Sequence, residues 1–137
     1  MTATVTPHDA LIYAMVMASA VDRTMSDSEL ARIGEIVQHL PVFETFDPDR
    51  LIAAAQRCTD ILSGPEGLDI ALETIRDALP LPLYETAYAL AVEVIAADRR
   101  VVAEEIRLLQ LLSGRLALDK LTCAAIERGA QARYRPA

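Results

Sequence analysis

The sequence predicts an all-α domain built as two three-helix halves with a linker helix between them, seven helices in total. Three observations predict it. Apolar residues recur at spacings of three and four along nearly the whole chain, and no segment sustains the two-residue alternation of a half-buried strand. A short acidic stretch occurs twice, as Ala20-Val21-Asp22-Arg23-Thr24-Met25-Ser26-Asp27-Ser28-Glu29-Leu30 and as Ala96-Ala97-Asp98-Arg99-Arg100-Val101-Val102-Ala103-Glu104-Glu105-Ile106. Each copy follows an apolar helical run and opens a new helical pattern. The copies stand 76 residues apart, so Asp22 matches Asp98, Met25 matches Val101 and Glu29 matches Glu105.

The first helix is expected over Pro7 to Val21, with Pro7 in the first turn, where its missing N–H costs nothing. Leu11, Ile12, Met15, Val16 and Ala18 to Ala20 make it apolar almost all round, the mark of a central helix. The second starts at Ser26, because Ser26-Asp27-Ser28-Glu29 is a capping box, and carries Leu30, Ile33, Val37 and Leu40 on one stripe. His39-Leu40-Pro41 ends it, and Phe43 and Phe46 in the following connection close one end of the core. Asp47-Pro48 restarts the chain as cap and first helical residue. Leu51, Ile52, Ala55, Cys58, Ile61 and Leu62 then form the expected apolar face of a third helix.

Gly64-Pro65-Glu66-Gly67 is a break. The linker helix, about 68–79, is expected to bury Leu68, Leu72, Ile75 and Leu79. Pro80-Leu81-Pro82 launches the fifth helix, where Leu83, Ala87, Leu90, Ala91, Val94 and Ile95 recur; it is the counterpart of the first. The sixth runs from about Val102 to Arg115, with Ile106, Leu109 and Leu112 prominent, and the seventh from about Asp119 to Ala132. Asp49-Arg50-Leu51 resembles Asp119-Lys120-Leu121 at an offset of 70, which places a six-residue deletion in the second half. The halves are therefore about 7–62 and 80–132 of one domain, related by a pseudo-twofold, and too few copies for a solenoid.

Composition narrows the function classes. The chain has 137 residues, 53% of them hydrophobic, with no Trp, and a formal net charge of −7. Such a length buries a real core in a single domain. The negative balance repels phosphate backbones and argues against nucleic acid. Cys58 and Cys123 lie among apolar neighbours and read as ordinary buried thiols of a reducing compartment. No secretory pattern opens the chain, and its longest apolar stretch is too short to span a bilayer. The expected location is cytoplasmic.

The repeated motif has two readings. In the structural one, each Asp sits in a helix–helix corner and each Glu, third in the next helix, caps its start and favours the positive end of the dipole. Val102 stands where Ser26 stands, so the second copy has lost the hydroxyl and kept the carboxylate. In the functional one, Asp22, Glu29, Asp98 and Glu105 face one another across the pseudo-twofold, with Asp27 and Glu104 as further contributors, and offer oxygen ligands to a divalent cation. The spacing is not that of a calcium-binding EF-hand loop. His8 and His39 lack partners at zinc-ligand spacing. Neither does any Ser or Cys stand in the context of a nucleophile with its base, so no catalytic residue is assigned and the chain reads as non-enzymatic.

The corner Ala-x-Asp-Arg-x-hydrophobic-x₃-Glu, present twice in an all-helical domain of this length, resembles the TerB-like (tellurite resistance TerB) family. Related domains occur at the N-terminus of some membrane-anchored DnaJ-like co-chaperones. The resemblance runs roughly from Asp9 to Gly129. It implies a compact seven-helix fold, a role in tellurite or chemical-stress responses, divalent-metal binding through the acidic residues, and protein partners, often near the membrane. The family pattern has Gly after the Asp, where this chain has Arg23 and Arg99, cations able to neutralise Asp22 and Asp98. Two other classes stay open. A pure protein-interaction module requires an exposed apolar patch, expected around Phe43 and Phe46. A metal-dependent hydrolase requires the carboxylates in a concave pocket with an open metal position.

Overall fold

The computed structural model describes residues 4–20, 25–98 and 101–137. Among them are seven α-helices and no strand: α1 (Pro7–Ser19), α2 (Asp27–His39), α3 (Leu51–Leu62), α4 (Gly67–Ala78), α5 (Tyr84–Asp98), α6 (Ala103–Arg115) and α7 (Lys120–Arg133). The all-α, seven-helix expectation is met. Single 3₁₀ turns at Pro41–Phe43, Pro48–Arg50 and Leu81–Leu83 launch or join helices, each opening with or containing Pro. No helix among the described residues is long and apolar enough to cross a membrane.

Two apolar helices form the axis of the molecule. Every residue of α1 from Asp9 to Ser19 is buried, and α5 buries Ala87, Tyr88, Leu90, Ala91, Val92, Val94 and Ile95. They make the most extensive helix–helix contact in the fold. Around them α2 and α3 pack on α1, while α6 and α7 pack on α5, and α4 lies against α1, α3 and α6. Helices this apolar have no outer face to give to water, so the amphipathic helices must wrap them.

The start of α1 is held by more than Pro7. Thr6 Oγ1 accepts the Asp9 N–H at 3.1 Å, and Asp9 Oδ2 accepts the Thr6 N–H at 3.1 Å, a reciprocal capping box. The other carboxylate oxygen of Asp9 faces Arg57 of α3 at 3.4 Å. His8 donates from Nε2 to the Val42 carbonyl at 2.8 Å and lies against Phe43 and Phe46. Both Phe are buried. They close one end of the core and form no exposed patch, which corrects that expectation.

Four apolar positions expected inside are outside. Ile52 is 68% exposed, Leu68 41%, Ile106 46% and Leu40, at the end of α2, 38%. At 100° per residue, α3 centres its buried face on Leu51, Ala54, Ala55 and Cys58, and Ile52 falls about 100° away from Leu51. In α6 the buried set is Glu105, Leu108, Leu109 and Leu112, so Ile106 is displaced by the same step. Leu68 sits in the first turn of α4, beyond the reach of the core. The turn before α4 is tight. Glu66 takes a left-handed φ of 55°, and a Cβ on Gly67 would meet the Ile61 carbonyl oxygen at 2.3 Å. Only Gly fits there.

Candidate functional site

At the first corner the capping box forms as its sequence requires. Ser26 Oγ accepts the Glu29 N–H at 3.2 Å and Glu29 Oε1 accepts the Ser26 N–H at 2.8 Å. At the second corner Val102 has no side-chain oxygen to offer, and only the return half of the box survives, with Glu105 Oε1 accepting the Val102 N–H at 2.9 Å. Glu105 is buried, at 7% exposure. Each of the two glutamates thus commits one carboxylate oxygen to the start of its own helix, where the dipole also favours negative charge. Asp27 and Glu104 are exposed first-turn residues of α2 and α6.

Asp98 is the exposed last residue of α5. Asp22, Arg23 and Arg99 lie outside the described residues. Among the described residues no three of His, Cys, Asp and Glu converge closely enough to hold one metal ion.

The equivalent apolar positions of the two corners part company. Met25 and Leu30 are half-buried and packed against the core. Their counterparts Val101 and Ile106 are 53% and 46% exposed, with Val102 beside them at 37%. Val101 and Ile106 line a groove of about 400 Å³ together with Ile95, Ala96, Leu109, Tyr134 and Pro136. Tyr134 is fixed there because its hydroxyl donates to Glu93 at 2.5 Å, and Arg133 pairs with the same carboxylate.

Polar side chains elsewhere tie helices together. Arg57 of α3 reaches Asp9 of α1, and at the matching place in the second half Glu127 of α7 accepts a hydrogen bond from the Tyr88 hydroxyl of α5. Burial first, and then the Glu127 carboxylate, hold that phenol protonated far above its ordinary range. Arg115 near the end of α6 binds Asp69 and Glu73 of α4. Both cysteines are free and buried; burial raises the Cys58 thiol to about 12 and moves Cys123 upward too, so neither is poised as a nucleophile.

The sequence motif pointed to the carboxylates of the two corners. It did not point to the apolar face beside the second corner, although the replacement of Ser26 by Val102 was its visible signal. No family model, curated protein or solved structure matches the chain.

Proposed function

We propose that this protein is a non-enzymatic helical interaction module that docks a partner protein on the apolar face of its second corner, with the acidic corners serving as helix caps. The setting is the chemical-stress response implied by its TerB-like resemblance. The observation that carries the reading is the difference between matching positions. Met25 and Leu30 pack inward, whereas Val101 and Ile106 stand in water over an apolar groove. A cluster of aliphatic side chains beside a groove is what a partner would cover, and the polar groups Glu127, Gln131 and Arg135 around it give the rim that interfaces use.

A photoreactive amino acid placed at position 106 in cells tests this, beside the same probe at Leu121, which is 77% exposed on α7. A defined adduct at 106, absent at 121 and lost on Val101→Ser, is the expected outcome. Equal labelling at both positions, or none at 106, contradicts it.

A second reading rests on Asp98. It ends α5 exposed, with no hydrogen bond or ion pair among the described residues, and with Asp22 it could hold a divalent cation through carboxylate oxygens. Scanning calorimetry of chelator-stripped protein with and without added cation separates the two.

A further inference from the structure

A second concavity lies on another face, where the ends of α1 and α3 meet the beginnings of α4 and α6. It has a volume of about 670 Å³ and is walled by Met17, Leu62, Leu68, Leu108 and Leu111. That size is ordinary for a pocket that encloses a small molecule. Its apolar lining consists of Met17, four leucines and the methyls of Ala20 and Ala103, and no aromatic ring is among the described residues there. A planar ligand would find nothing to stack on, while a flexible hydrocarbon chain could follow the surface throughout. Leu68, 41% exposed, is the side chain with most to gain from a cover.

The polar groups around this pocket leave little choice of head group. Thr59 and Ser63 both line it, but their hydroxyls donate to the Gln56 and Asp60 carbonyls of their own helix at 2.9 Å. Among the described residues, Glu104 and Arg107 are the charged members of the lining. Glu104 is second in α6, where the partial positive charge of the helix start offsets its carboxylate. Arg107 stands one turn further on, exposed, with no ion pair among the described residues. Arg57, Arg76, Arg115 and Arg133 each meet a carboxylate. Among the described residues of the lining, one guanidinium without a carboxylate partner beside an aliphatic trough matches a single anionic head on a hydrocarbon tail.

We infer that this pocket binds an acyl-chain carboxylate, the tail lying along Met17, Leu62, Leu68 and Leu111 and the head group meeting Arg107. An extended peptide is a poorer occupant, because its backbone C=O groups would meet hydroxyls whose protons already go to the helix.

Calorimetric titration of the full chain with octanoate, decanoate and dodecanoate, each kept below micelle formation, tests the inference. Saturable one-to-one binding is expected, tightening by up to about fourfold for each added methylene. Arg107→Gln should weaken decanoate about tenfold or more, with Arg107→Lys restoring most of the loss. Leu68→Asn should weaken every chain length. Arg107 is exposed, so an unchanged thermal midpoint will confirm that its variants fold. Decyltrimethylammonium, with the same tail and the opposite charge, should not bind measurably. Absence of saturable carboxylate binding overturns the inference and leaves the trough to a protein partner. Equal affinity for the two head groups, or indifference to Arg107→Gln, also overturns it, by reducing the trough to a non-selective apolar surface.

Discussion

Ile12→Ala is expected to lower the unfolding free energy by about 2–5 kcal/mol, whereas Ile52→Ala should change it by less than about 0.5 kcal/mol. The two substitutions delete the same atoms. Ile12 is fully buried at the centre of α1, the helix against which α5, α3 and α4 all pack, so its removal opens a cavity that no single neighbour can refill. Ile52 is 68% exposed and leaves only solvent behind. Urea unfolding of both variants measures the contrast. Similar losses at the two positions would mean that α3 is rotated and that Ile52 belongs to the core.

Stability should also fall steeply in alkali. The Cys58 thiol is fully buried, and burial raises its pKa from 9.0 to about 12. Between those values the unfolded chain releases a proton that the folded chain retains, which favours unfolding. The contribution is therefore complete below pH 9 and is lost as pH rises toward 12, at about 1.4 kcal/mol for each pH unit crossed. Tyr88 and Tyr13, both raised chiefly by burial, act in the same direction above pH 10. Against a total of about 5–15 kcal/mol for a domain of this kind, the loss is large. Urea midpoints measured from pH 8 upward should decline beyond pH 9, and Cys58→Ala should flatten the first part of the decline. A profile unchanged by that substitution would place the thiol in contact with water.

Much of the architecture is legible in the residues. Helices α1 and α5 announce themselves as central because Leu11 to Ala20 and Ala87 to Ala97 leave no polar face, and the capping box at Ser26 fixes where α2 begins. Thr6 and Asp9 carry the same spacing, Thr-x-x-Asp, ahead of α1, so that box too is readable in the sequence. The rotation of a face is harder. Ile52 and Ile106 each stand one residue beyond a buried position, and hydropathy favours including them. What excludes them is the centre of the buried stripe, set by small residues such as Ala54 and by Glu105, whose burial its cap permits.

The polar links are less legible still. Arg57 and Asp9 lie 48 positions apart and meet only because α3 crosses α1. The acidic corners could be found from their repetition, but repetition does not say whether a carboxylate faces a ligand or its own helix. Glu29 and Glu105 face their own helices, through bonds of 2.8 and 2.9 Å. The asymmetry between Leu30 and Ile106 needs the packing on both sides before it can be seen.

The central claim is that these glutamates are caps and the second corner's apolar face carries the function. Its most direct test is scanning calorimetry of chelator-stripped protein with calcium, magnesium, manganese or zinc, alongside Glu29→Ala, Glu105→Ala and Asp22→Asn/Asp98→Asn. The account predicts that Glu29→Ala and Glu105→Ala each cost about 0.5–2 kcal/mol, the buried Glu105 the more, with the same loss whether or not a cation is present. The wild-type midpoint should not move. A rise in that midpoint with one cation, by the mass action of binding to the folded state, and its disappearance in Asp22→Asn/Asp98→Asn, would contradict the account and make the two corners a metal site.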